Sequence, residues 1–359
     1  MPRLRELGLT PGILPAGPLN AITDVAGVRV GHITLIAGNG PLQPGKGPVR
    51  TGVTAVLPHG GNLYQEKVIA AVHTLNGFGK ACGFEQVREL GVVETPILLT
   101  NTLNVGRVAD AVVSLMVEEN PAIGITTGTV NPVVGECNDG FLNDIQGRHV
   151  RAEHVRAAIH AARSGPVTEG NVGAGTGTAC FGFKGGIGTA SRRFDDYTIG
   201  ALVQTNFGRR EHLTIMGRPM GQTLKDTLRP STEPGPGSIM IVLATDAPLT
   251  SRQLERLARR ASYGLARTGS VGAHGSGDFV IAFTTAVRRA HQPNSLWTLP
   301  PLIPDEATRL IDGLFLAVIE SVEEAILNAL LMAETMIGRD NHVLHALPVD
   351  IVDALLRAP

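Results

Sequence analysis

The stretch Pro234-Gly235-Pro236-Gly237-Ser238 and the apolar run behind it constrain this chain more than any other segment. Two prolines fix φ and remove two N–H donors, while two glycines permit backbone angles closed to other residues. From Ile239 to Ala244 the chain is apolar and rich in β-branched residues, and Asp246 bounds it, so the run reads as a buried strand. Ser238 stands at the junction, its hydroxyl held at the mouth of a sheet behind a tight turn. Two readings stay open at this point. One is a serine capping an ordinary loop–strand junction. The other is a serine nucleophile, in one version attacking the Gly237 carbonyl, cutting the chain and using its new amine as base. Glycine suits the preceding position because it has no Cβ to block attack.

Around this strand the chain alternates short apolar runs with amphipathic segments. Residues 20–32 alternate and turn like a hairpin. Thr51 to Leu57 and Pro96 to Leu99 read as strands. Val105, Val108, Ala109, Val112, Leu115 and Met116 mark one helix face, and Arg151 to Arg163 a second helix. Tyr197 to Thr205 reads as a strand. Thr250 and Gln253 form a capping box ahead of Leu254, Leu257, Ala258, Ala261 and Leu265. Phe279 to Thr284 is another strand. Residues 305–337 read as a largely buried helix, broken once and ending at Gly338. No regular βαβ repeat runs through the order, which favours α+β or layered sheets over a doubly wound sheet.

Composition narrows the function classes. The formal net charge of -1 offers no basic field for nucleic acid or anionic membrane. Cys82, Cys137 and Cys180 are odd in number and far apart, so neither a disulfide framework nor a metal spacing follows, and a reducing, cytoplasmic setting fits. The first 20 residues have no apolar core of a signal peptide. The apolar segment near the C-terminus is interrupted by Asp312, Glu320, Glu323 and Glu324, so no membrane span is expected. His342 and His345, or His149, His154 and His160, lack the accompanying spacing of a metal site. No cofactor is expected.

Several polar positions can carry chemistry. Asn206 follows a strand, and its amide can donate to a developing oxyanion or simply end the strand in a turn. Ser276-Gly277-Asp278 opens another strand. Ser276 and Asp278 can orient a nucleophile, or make an ordinary turn. Glu136 and Asp139 stand together in Gly135-Glu136-Cys137-Asn138-Asp139-Gly140. They can hold a substrate ammonium, or belong to a solvated turn with an Asp-Gly signal. Gly173-Ala174-Gly175-Thr176-Gly177 lacks the ending of a phosphate loop, so backbone lining a cleft or a subunit contact is the favoured reading.

Taken together, Asn20 to His32, Pro58-His59-Gly60-Gly61-Asn62, Leu99 to Thr102, Gly135 to Asp144, Gly170 to Gly177, Thr205 to Gly208, Gly237-Ser238 and Gly275 to Asp278 resemble the L-aminopeptidase/D-esterase family, which includes the β-peptidyl aminopeptidases. The resemblance spans about residues 20–280. It implies a four-layer αββα sandwich similar in layout to the N-terminal-nucleophile hydrolases but with different connectivity. It implies one self-processing domain, residues 1–359, cut between Gly237 and Ser238 into 1–237 and 238–359. Ser238 would be the N-terminal nucleophile, Asn206 the oxyanion donor, Ser276 and Asp278 supporting groups, and Glu136 the holder of the substrate amine. Members commonly carry Glu where Asp278 stands, one methylene longer. They can also use a tyrosine near the site, whereas the loop here offers Asn138 and Phe141. Implied substrates are small peptides, amides or esters with a free amine, and the implied assembly is a homo-oligomer, a tetramer. An ornithine acetyltransferase-like acyl transferase would be expected to use Thr at the cut, and a non-catalytic small-molecule-binding protein would not be cut at all.

Overall fold

The computed structural model of the protein describes residues 1–229, 232, 234, 235, 237–292 and 301–357. Pro236, one of the two prolines before Ser238, lies outside the described residues. The chain is a mixed α and β structure built on two main sheets.

The smaller sheet holds β1 (Arg29–Ala37), β2 (Val49–Leu57), β5 (Ile97–Asn101) and β6 (Val133–Cys137), in that order. The larger holds β3 (Glu66–Gly77), β4 (Val92–Val93), β9 (Ile187–Phe194), β10 (Tyr197–Asn206), β11 (Ser238–Thr245) and β12 (Gly277–Ala290), in the order β4-β3-β12-β11-β10-β9. Two short hairpins pair β7 (Ala179–Cys180) with β8 (Phe183–Lys184), and β13 (Met336–Ile337) with β14 (Val343–Leu344). The helices are α1 (Phe84–Leu90), α2 (Val105–Glu119), α3 (Ala152–Ala161), α4 (Met220–Leu224), α5 (Ser251–Arg267), α6 (Thr308–Leu331) and α7 (Val349–Arg357).

β11 is buried along its whole length, as an apolar run between two neighbours must be. Its alternate side chains enter two different cores. Ile239, Ile241 and Leu243 pack with α5 and α6 through Leu254, Leu257, Val318 and Val322. Met240, Val242 and Ala244 pack against the smaller sheet through Val56, Ile97 and Val133. The other face of the smaller sheet, with Val53, Ala55 and Leu98, meets α2 and α3 through Val108, Val112, Val155 and Ile159. The capping box at α5 forms: Gln253 N–H donates to Thr250 Oγ1 at 3.2 Å, and Thr250 N–H to Gln253 Oε1 at 2.9 Å.

Three expectations change. Residues 20–32 are not a hairpin. A single turn, Ile22–Asp24, is held by Asp24, which accepts from the N–H groups of Leu19 and Ala21, and β1 begins only at Arg29. The long C-terminal helix is unbroken and stops at Leu331, and by Met336 the chain is extended. It stays regular because its buried acids have partners: Arg192 Nε meets Glu320 Oε2 at 3.0 Å, and Arg192 also meets Glu324 Oε2 at 2.6 Å. The glycine-rich segment Gly173-Ala174-Gly175-Thr176-Gly177 is buried within the chain rather than lining an open cleft. It packs inside, and a Cβ at Gly175 would stand 2.5 Å from Ile187 N. Its N–H groups are already taken: Gly173 by Thr34 Oγ1, Ala174 by Thr54 Oγ1, Gly175 by Val172 O and Thr176 by Gly173 O. The four successive N–H groups from Gly173 to Thr176 are therefore not free to cradle a phosphate. No described helix is long and apolar enough to cross a membrane.

Candidate active site

β10 and β11 are antiparallel, and their register sets Asn206 opposite Ser238. β11 and β12 are parallel, and theirs sets Ile239 opposite Asp278. Three sequence-distant segments therefore meet at one end of the larger sheet. Ser238 Oγ accepts a hydrogen bond from Gly277 N–H at 3.1 Å. Ser276 Oγ donates to Asp278 Oδ1 at 2.6 Å, so the shorter aspartate still reaches its serine. Asn76 braces this turn, its amide donating to Ser276 O at 2.6 Å and Ala273 O at 2.8 Å.

Asp278 Oδ2 is buried without a partner. Burial raises the Asp278 pKa, and the Ser276 hydrogen bond and the nearby Ile239 N–H pull it partly back. An unpaired buried carboxylate oxygen is costly unless a donor arrives. Asn206 is oriented by its neighbour. Ala179 N–H donates to Asn206 Oδ1 at 3.0 Å, which leaves the Asn206 NH2 as the end available to donate.

The position before Ser238 has no room for a side chain. A Cβ at Gly237 would stand 1.4 Å from Asn206 O. The close approach of β10 to this turn thus requires glycine there, independently of any chemistry. A pocket of about 550 Å³ opens beside the turn, and its wall includes Phe207, Gly208, Arg209, Gly237 and Ser276.

Glu136 comes to this region on β6, not on a solvated turn. β5 and β6 are parallel, with Thr100 opposite Glu136 and Asn101 opposite Cys137. The chain leaving β5 then brings the Thr102 hydroxyl to Glu136 Oε2, while Lys80 N–H donates to Glu136 Oε1 at 3.0 Å. Burial raises its pKa, and these two hydrogen bonds oppose the shift. The next residue, Cys137, donates from Sγ to Ser238 O at 3.4 Å, which ties β6 to the serine strand. Asp139 is wholly buried, also against the turn reading. Thr51 Oγ1 at 2.5 Å, Asn101 Nδ2 at 3.1 Å and Asn143 Nδ2 at 2.9 Å all donate to it. Burial pushes its pKa up to about 6. Its oxygens are engaged in holding β2, β5 and the loop together.

The chain as a whole has relatives. The profile of peptidase family S58 matches residues 20–344. The chain belongs to that family. It is 44% identical over 374 aligned positions to the β-peptidyl aminopeptidase BapA of Sphingosinicella microcystinivorans, covering 99% of this chain and 92% of that protein. The crystal structure of the PH0078 protein from Pyrococcus horikoshii OT3 superposes with a TM-score of 0.94 at 53% identity, covering 99% of both chains. The L-aminopeptidase D-Ala-esterase/amidase of Ochrobactrum anthropi, described as a prototype of the serine aminopeptidases and a new variant among the Ntn hydrolase fold, superposes with a TM-score of 0.90 at 44% identity, covering 99% of this chain and 98% of that one.

The S58 chain is thus an aminopeptidase, a hydrolase acting on peptide or amide substrates. The acyl transferase and the non-catalytic binding protein weighed from the residues give way to this membership. Among the described residues no group of three or more His, Cys, Asp or Glu could hold a metal ion. Phe141, in the loop where the family can use a tyrosine, stacks on His342 with ring centroids 4.6 Å apart.

Sequence reasoning missed several contributors. Nothing local to Gly277 signals that its N–H meets Ser238 Oγ. Lys80 and Thr102 carry no local signal for Glu136, because their approach depends on strand register. Lys184, behind Asn206, was not singled out at all.

Proposed function

We propose that this aminopeptidase matures by cutting itself between Gly237 and Ser238, and that the freed Ser238 is its nucleophile. The observation that carries the reading is the convergence of Ser238, Asn206 and the Ser276–Asp278 pair at one end of β10, β11 and β12. Ser238 Oγ attacks the substrate carbonyl, and its own α-amine takes the proton. An unperturbed α-amine, with a pKa of about 7.7–8.0, suits that task. Asn206 Nδ2 donates to the tetrahedral oxyanion. Collapse expels the amine product, which takes the proton, and leaves an ester on Ser238. Water then attacks that ester, giving up a proton to the Ser238 α-amine, and the acyl C–Oγ bond breaks as the α-ammonium returns that proton to Oγ and the acid is released.

Asp278 has a defined part in this scheme. In the uncut chain Ser238 N is an amide. Cutting turns it into an amine, and when that amine accepts the Oγ proton the unpaired Asp278 Oδ2 on β12 supplies the charge that matches the ammonium formed. Glu136 holds the substrate ammonium, so substrates are small peptides, amides or esters with a free amino group. The β-peptidyl aminopeptidase among the relatives widens that class to β-amino acyl groups. Three core clusters, one between the sheets and one outside each, support reading the fold as a four-layer αββα sandwich. We place the enzyme in the cytoplasm as a homo-oligomer, a tetramer, with no cofactor.

The amine site is tested by Glu136→Gln. Glu136 acts on the ground state and the transition state alike, so its loss should raise KM more than it lowers kcat. Maturation should proceed, because no substrate amine takes part in it. Steady-state kinetics on p-nitroanilides of several amino acids reads the split. An unchanged KM for every amine-bearing substrate would move the amine site elsewhere.

A further inference from the structure

We propose that Lys184, buried behind the active site, orients and polarises the Asn206 amide through the Thr178–Ala179 peptide, and is therefore a positioning residue for the oxyanion. The proposal rests on Asn206 being the oxyanion donor.

Lys184 is fully buried, and among the described residues it makes no ion pair with a carboxylate. A buried cation is expensive even with the Asp139 carboxylate near enough to favour its charged form. Its Nζ donates to three main-chain carbonyls: Gly175 O at 3.0 Å, Thr178 O at 2.9 Å and Gly185 O at 2.6 Å. An ammonium has three N–H groups and no lone pair, so three acceptors match it. A neutral amine would turn a lone pair onto one of those oxygens. The cradle thus favours the cation, although burial pushes the Lys184 pKa down to about 7.

The link to Asn206 is a single peptide group. Its carbonyl, Thr178 O, accepts from Lys184 Nζ. Its N–H, on Ala179, donates to Asn206 Oδ1 at 3.0 Å. The β7–β8 hairpin pairs Ala179 with Lys184 in register, and Lys184 N–H donates to His345 O at 2.7 Å, which fixes the hairpin. The dipoles follow head to tail: ammonium, peptide, side-chain amide, then the Asn206 N–H groups. A cation at one end makes each successive N–H a better donor, and the last of them faces developing negative charge. The same chain holds the amide with its oxygen inward, so the NH2 is presented without searching for it.

The test is a double-mutant cycle on cleaved enzyme, counted by active-site titration, using Lys184→Gln, Asn206→Ala and the pair. Lys184→Gln keeps two donors for the cradle and removes the charge. Lys184→Met, which keeps the length without donors, is the companion variant where it folds. We expect Lys184→Gln to lower kcat about tenfold with KM within about twofold. An α-aminoboronic acid forms a tetrahedral anion on the serine, and its Ki should rise by about the same tenfold factor while that of the matching amino acid stays put. In the Asn206→Ala background, Lys184→Gln should have no further effect. If Asn206→Ala lowers kcat but the Lys184 effect is equal in both backgrounds, or shifts both Ki values together, Lys184 is merely structural and the proposal fails. If Asn206→Ala leaves kcat unchanged, the reading of Asn206 itself fails and takes this one with it.

Discussion

Ser238→Ala should remain one chain of 359 residues and show no hydrolysis above background, a loss of at least about 10⁴-fold in kcat. The change removes the attacking oxygen from both proposed steps. Without Oγ there is nothing to attack the Gly237 carbonyl, so no α-amine is generated to act as base. The fold should persist. In the native chain Oγ accepts one hydrogen bond, from Gly277 N–H. Leaving that buried donor unpaired costs about 1–3 kcal/mol, a modest part of the stability of a domain this size. Denaturing gels, circular dichroism and a substrate panel measure all three outcomes. A Ser238→Ala protein that is still cut at the same bond would remove the serine from the mechanism.

Gly237→Ala should also stop maturation, for a different reason. A methyl group at this position would stand 1.4 Å from Asn206 O, far inside van der Waals contact. Backbone on both sides must move to relieve it, and the Asn206 side is the end of β10. The displacement takes the scissile carbonyl away from Ser238 Oγ and disturbs the oxyanion donor at once. Loss of about 1 Å of alignment costs roughly 10²-fold in reactivity. The expected result is a folded, uncut and inactive chain, with a melting temperature within several degrees of the parent. Cutting at the normal rate would mean that the turn does not hold the geometry described here.

The two variants also mark what the residues alone could reveal. The strand β11 was legible because six apolar residues stand between a turn and an aspartate, a pattern that suits a strand buried on both faces. The capped helix α5 was legible because its cap and apolar stripe are local. β3 and β6 escaped. β6 is five residues long and carries Glu136, and a buried carboxylate is intelligible only once Thr102 and Lys80 are known to meet it. The buried acids of α6 read as interruptions until Arg192, more than a hundred residues away, is seen to pair with them. The same holds for the site. The roles of Ser238 and Gly237 sit in one short turn, whereas the Asn206, Ser276 and Asp278 constellation exists only through the registers of β10, β11 and β12. The need for glycine at 237 was anticipated from chemistry, and the structure adds a steric reason that does not depend on it.

The central claim is that Ser238 becomes the first residue of a new chain. Intact-mass measurement of the purified protein, with N-terminal determination of each piece, tests it most directly. A 37.7 kDa chain cut before Ser238 gives pieces of about 25 and about 13 kDa in proportion to their lengths, the smaller beginning Ser-Ile-Met-Ile. A single uncut species that nevertheless hydrolyses amino-acid p-nitroanilides at full rate would contradict it.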